Sequence, residues 1–186
     1  MKKIFTLAVV AIASVFAANA ENWHVGGNIG YDHEAKNGVT TNSFAIMPEI
    51  GYDLNSTWSI GTQIGYQYNH TCGVDASLNM FKFNPYVRWT FFKTDNDLVE
   101  LFVDGGAGIG LGWYDHNDDS HTAVTWNIGF RPGVKVNLTE KFSVVAHIGQ
   151  LGYQGANNYA YWGGQPRKGG INLNSDDLTL GFFFNF

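Results

Sequence analysis

The residues able to do chemistry in this chain are few and widely spaced. Lys82, Arg88, Arg131 and Lys135 supply cations, and Glu49, Glu100 and Asp104 supply anions, at alternate positions of otherwise apolar runs. His24, Asp32 and His147 fall in comparable places. Charges spaced in this way suit ion pairing across neighbouring strands better than proton transfer to a substrate. No Gly-x-Ser-x-Gly elbow holds a nucleophile at a strained turn. The run Gly105-Gly106-Ala107-Gly108-Ile109-Gly110 misses the Gly-x-Gly-x-x-Gly register, and no helix pattern follows it. Small residues in a tightly curved strand account for it. Tyr114 to His121 offers oxygen and imidazole ligands but lacks the Gly and bidentate Glu of a calcium loop. It reads as a solvated acidic loop tip. His70 and Cys72 could join a metal site only if their loop met this one. Cys72 is the only cysteine, so no internal disulfide is available. The expectation is therefore no catalytic residues, no metal and no cofactor.

Composition points to an unusual setting for these residues. The chain has 186 residues, enough for one domain. Only 15% are charged, against about 25% in ordinary globular domains, while 16% are aromatic and 23 are Gly. A disordered chain would show the reverse balance. A formal charge of -5 argues against nucleic acid as a partner.

At the N-terminus, Lys2 and Lys3 precede an apolar stretch from Ile4 to Phe16 and then Ala18-Asn19-Ala20. A basic start, an apolar middle and a small-x-small site describe a cleavable secretory signal. The expected division is a signal peptide over 1–20 and one domain over 21–186.

Beyond residue 21 the apolar period is two, and it recurs in eight segments. In the first, Trp23, Val25, Gly27, Ile29 and Tyr31 alternate with His24, Gly26, Asn28 and Gly30. Similar runs start near Phe44, Trp58, Phe81, Leu101, Trp126, Phe142 and Leu178, the seventh being less regular and Phe183 breaking the polar face of the last. Short turn-forming pieces lie at 53–57, 93–96 and 138–141, whereas 33–42, 69–77, 114–123 and 153–175 are expected to be longer loops. Short turns at one end and long loops at the other describe an up-and-down barrel with both termini at the short-turn end.

Alternation alone does not say which face points outward. A soluble barrel would turn its apolar face inward. Here the polar face is rich in Gly, Asn, Ser, Thr and Gln, and so few charges would cover a water-exposed barrel poorly. The apolar face places Trp23 and Tyr31, Phe44 and Tyr52, Trp58 and Tyr66, and Phe83 and Phe91 eight residues apart. That is ~26 Å along a strand, close to the height of a lipid-facing band with an aromatic belt at each edge. The expected fold is an all-β, eight-stranded antiparallel transmembrane β-barrel.

Phe83-Asn84-Pro85-Tyr86-Val87-Arg88-Trp89 followed by Phe102-Val103-Asp104-Gly105-Gly106 resembles the outer-membrane β-barrel family common in Bacteroidetes. Arg131-Pro132-Gly133-Val134-Lys135 and the ending Leu180 to Phe186 share that resemblance. The eight-stranded OmpA and OmpX barrels are its broader relatives. The resemblance spans essentially all of 21–186. It implies a Gram-negative outer-membrane location, contact with outer-membrane lipids and lipopolysaccharide, and assembly by the barrel assembly machinery, with Phe186 as the assembly signal. It implies no particular activity. Palmitoyltransferase barrels begin with an amphipathic helix, whereas this body enters a strand at once. Deacylase barrels use His-x-Ser, where this chain has His147-Ile148-Gly149.

Two sites are expected. One is an interior ion-pair network of Glu49, Lys82, Arg88, Glu100, Asp104, Arg131 and Lys135, because a charge in a narrow barrel is costly unless paired. The other is a surface loop with Tyr159, Tyr161, Trp162, Arg167 and Lys168, suited to an extracellular protein or glycan. The preferred role is structural or surface interaction; a small or gated pore and a lipid A-modifying enzyme are the alternatives.

Overall fold

The computed structural model describes residues 22–36, 39–73, 76–117, 119–172 and 178–186. The signal segment 1–20 lies outside the described residues. Strands β1 (Trp23–Lys36), β2 (Val39–Asp53), β3 (Trp58–Cys72), β4 (Ala76–Lys93), β5 (Val99–His116) and β6 (Asp119–Asn137) pair antiparallel in sequence order. After β6 come β7 (Phe142–Ile148), β8 (Gln150–Ala156), the short helix α1 (Asn158–Trp162), β9 (Lys168–Asn172) and β10 (Leu178–Asn185). Both β7 and β8 pair with β6, end to end, so together they are the seventh barrel strand. β9 pairs with β8 and β10 with β7, which makes them the eighth. β10 then pairs with β1, from His24 opposite Asn185 to Asn28 opposite Gly181. The barrel is closed, with eight antiparallel strands.

Local chemistry sets the short turns. Asn55 Oδ1 accepts from the backbone N–H of Thr57 and Trp58, both at 2.9 Å, and fixes the β2–β3 turn. Thr139 Oγ1 accepts from Phe142 N at 3.0 Å in the β6–β7 turn. The opposite end differs from the sequence expectation. Segments 33–42, 69–77 and 114–123 are mostly strand, paired up to Lys36 opposite Val39, Thr71 opposite Ala76 and His116 opposite Asp119. The outward face turns polar there while Ala76, Tyr114 and Ala123 are buried under α1, so the lipid-facing apolar period fades although backbone pairing continues. The segment 153–175 is likewise cut by β8 and β9, and its described non-strand part is 157–167.

A bulge explains the irregular seventh strand. Gly133 faces His147 and Phe130 faces Leu151, so β6 has two intervening residues where the seventh strand has three. The extra residue sits at Gly149, whose φ of 73 belongs to the left-handed region that glycine tolerates. The bulge reverses side-chain parity. His147 points inward before it, and beyond it Gln150 and Gln154 point inward while Tyr153 points out and is 64% exposed.

Burial is inverted relative to a water-soluble protein. Asp104, Gln63 and Glu49 are 1%, 2% and 3% exposed, whereas Ile29 and Phe130 are 71% and 59% exposed. Interior glycines leave room for large partners: a Cβ at Gly51 would meet the His24 ring, one at Gly61 the Tyr86 phenol and one at Gly133 the Phe102 ring. Aromatic rings gather into two outer girdles. Trp23–Tyr52 at 5.1 Å and Trp58–Trp89 at 6.2 Å lie near the short turns, and Tyr66–Phe81 at 5.3 Å and Phe81–Trp113 at 6.3 Å near the other end. On β4 the upper ring is Phe81, not the expected Phe83, which sits mid-band opposite Ile64 and Ile109. Replacing Gly149 with Val, which does not tolerate that left-handed φ, should remove the bulge while keeping the extra residue, and simple parity would then drive Leu151 and Tyr153 into the lumen. The fraction of heat-modifiable, folded protein on gels is then expected to fall sharply; an undiminished folded band would contradict the bulge's role.

Candidate functional site: a layered lumen and its lid

Midway along the lumen, strands β2 to β7 contribute one polar layer. Arg88 donates to both carboxylate oxygens of Asp104, at 2.7 and 2.9 Å, in a bidentate pair. The same Nη2 that meets Asp104 also lies 3.6 Å from Glu49, and the guanidinium lies 4.0 Å from the centre of the Phe102 ring. Glu49 accepts from Gln63 Nε2 at 2.6 Å and from the Tyr86 hydroxyl. Asp104 also meets His147 Nε2 at 2.8 Å, and Arg131 donates to Gln63 Oε1 at 3.2 Å. Period-two geometry on adjacent strands brings these side chains to one height: Arg88 is opposite Asp104, and Asp104 is opposite Arg131. Closer to the short turns, Glu100 lies 3.5 Å from Lys93 and 3.6 Å from Lys135.

The layer separates two chambers. A cavity of about 250 Å³ at the short-turn end is lined by His24, Asp53, Arg88, Lys93, Glu100 and Lys135. Phe102, Val145 and Phe183 form a small apolar cluster in this half, which is why Phe183 departs from the polar face. A second cavity, about 230 Å³, lies on the far side and is lined by Gln67, Lys82, Asn84, Asn127, Gln154 and Gln165.

The loop 157–167 closes the far end as a docked lid. Asn157 caps α1 by accepting from Ala160 N at 2.9 Å and donates to Thr122 O at 2.8 Å, which ties the helix to β6. Ala160 is fully buried against Leu78, Met80, Tyr114 and Ala123. Asn69 Nδ2 donates to Gly163 O at 2.8 Å, and Lys82 Nζ donates to Gln165 Oε1 at 2.9 Å. Tyr159 stacks on His121 at 4.2 Å. What the lid shows to the outside is Tyr161 and Trp162, 52% and 59% exposed, with Arg167 4.9 Å from the Tyr161 ring centre.

A closed barrel that buries carboxylates and exposes bulky apolar side chains fits one solvent. Residues 4–186 match the outer membrane protein beta-barrel domain. The chain belongs to this family. It is an integral protein of the bacterial outer membrane, with the short turns on the periplasmic side and the lid outside. Among solved structures, Neisserial surface protein A is 12% identical and covers 88% of this chain and 97% of its own, with a TM-score of 0.56. The N-terminal β-barrel domain of Pseudomonas aeruginosa OprF is 18% identical and covers 90% of this chain and 100% of its own, with a TM-score of 0.49. No curated protein matches this sequence.

The site residues singled out from sequence divide into distinct groups in this outer-membrane barrel. Glu49, Arg88 and Asp104 share the central layer with Arg131, which meets an amide there, and Glu100 and Lys135 pair below it. Lys82 stands apart, above the layer, on the amide of Gln165. The Asp32 side chain lies outside the described residues. Of the loop set, Tyr161, Trp162 and Arg167 face outward together, Tyr159 packs inward on His121, and Lys168 begins β9. His116 and Asp119 face one another across the β5–β6 hairpin end, and among the described residues no group of three or more His, Cys, Asp or Glu is placed to hold a metal. Gln63 and Tyr86 were legible by parity but carry no charge to draw notice. Ala160 and Gln165 had no sequence signal.

Replacing Asp104 with Ala should leave the Arg88 guanidinium buried without its bidentate partner, at a cost of about 3–5 kcal/mol. Urea unfolding in lipid vesicles should show that loss, and Arg88→Leu/Asp104→Leu should recover most of it. A double variant as unstable as Asp104→Ala alone would contradict this account.

Proposed function

We propose that this outer-membrane barrel is non-enzymatic, holds its lumen shut, and acts at the cell surface through the lid. The observation that carries the reading is the docking of α1. Its inner side is fixed by Ala160, Asn157 and Gln165, so Tyr161, Trp162 and Arg167 form a preordered outward patch. Rigid aromatic anchors beside a guanidinium suit sugar rings and polar protein surfaces, because little side-chain freedom is lost on contact. Extracellular glycan, lipopolysaccharide or a surface protein is the partner class. Vesicles carrying the protein should bind an immobilised lipopolysaccharide or glycan surface, and Tyr161→Ala/Trp162→Ala should weaken that by at least ~10-fold. Equal binding by this variant would overturn the lid as the contact surface.

The two chambers favour one second reading, a gated pore, since a single polar layer built around Glu49, Arg88 and Asp104 separates them. Eight strands give an interior that side chains fill or that holds one small ligand, too narrow for an open aqueous channel. Purified protein in planar bilayers is expected to give no stable conductance steps. Stable, large steps from the wild-type protein would replace the closed-lumen reading with the pore.

A further inference from the structure

The two lumenal chambers differ in charge balance. The periplasmic chamber carries its own compensation: Lys93 and Lys135 meet Glu100, and His24 meets Asp53. In the chamber beneath the lid, Lys82 meets an amide rather than a carboxylate. The chamber's lining includes Gln67, Lys82, Asn84, Thr125, Asn127, Gln154, Gln165 and Lys168, with no carboxylate among the lining residues described. Lys82 is half-buried, and its hydrogen bond to Gln165 occupies one of the ammonium's three donors. Gln154 Oε1 is a buried acceptor with no hydrogen-bond partner. A cation with donors to spare faces a wall of amides and one unmet acceptor.

We propose that this chamber is a binding site for a small hydroxylated organic anion. The acidic group sits on Lys82, and hydroxyls engage the amides, one of them donating to Gln154 Oε1. An amide can donate and accept at once, as a hydroxyl can, which is why a ring of Gln and Asn suits a polyol better than an apolar ligand. At about 230 Å³ the space lies below the ~300–1,000 Å³ of drug-sized sites, so the ligand is no larger than about one sugar acid. The lid supplies Gly164, Gln165 and Pro166 to the chamber, so a bound ligand would touch the inner side of the lid. The proposal goes beyond the surface role: it concerns the inner side of the lid, not the outward patch.

The test is titration calorimetry on the full-length protein refolded in detergent, with D-glucuronate, D-glucose and inorganic phosphate as probes. Saturable glucuronate binding is expected, with both other probes at least ~10-fold weaker. Lys82→Met should weaken glucuronate by at least ~10-fold, bringing it to the weak level of glucose. Lys82→Gln, which keeps a hydrogen-bonding head, serves if the Met variant does not refold. Overturning results are no saturation by glucuronate up to about 10 mM, undiminished binding by the Lys82 variants, or phosphate or glucose binding as tightly as glucuronate.

Discussion

Hydrocarbon offers no hydrogen bonds to a peptide group, so every backbone N–H and C=O inside the membrane must find a partner within the protein. The structure follows from that constraint. An open sheet would leave two edges in lipid, and pairing of β1 with β10 removes both. The seam is reinforced at its periplasmic end, where Phe186 N donates to Trp23 O at 2.9 Å. Closure fixes which side chains face inward, and closure with eight strands makes the interior narrow. A narrow interior explains the glycines opposite His24, Tyr86 and Phe102, and it requires the polar residues that remain to satisfy one another.

Within that interior the charges are arranged in order of cost. The most deeply buried, Asp104, has a bidentate guanidinium and an imidazole; Glu49, next, has an amide, a phenol and the edge of Arg88. Towards the periplasm Glu100 shares two lysines in a wetter setting. Above the layer the rule lapses, and Lys82 faces an amide. The lid is held by the same polar economy. Asn69, Asn157 and Gln165 satisfy its backbone and side chains, while Ala160 contributes the apolar contact.

Strand identity was legible in the sequence wherever one face met lipid and the other the lumen, because parity then separates residues such as Ile64 and Gln63. It failed in two kinds of place. Outside the membrane the outward side chains turn polar and the inward ones, such as Ala76 and Tyr114, are apolar beneath α1, so the pairing of Thr71 with Ala76 is not marked by the parity seen within the band. At Gly149 a single inserted residue exchanges the faces, and parity read through it misplaces Tyr153 and hides Gln150 and Gln154. The charged members of the central layer were visible by type and spacing. Their partners Gln63 and Tyr86 were visible only as strand positions, and the inward residues of the lid depend on a tertiary contact no local pattern encodes.

Which face of each strand meets lipid decides everything else in this barrel. Single cysteines placed along β4 at positions 81 to 89, in a Cys72→Ser background and labelled with nitroxide, report this through their accessibility to oxygen dissolved in the bilayer. Maxima at 81, 83, 87 and 89 with minima at 82, 84, 86 and 88 are the predicted result. Maxima at the even positions, or no alternation, would contradict the inverted barrel and everything built on it.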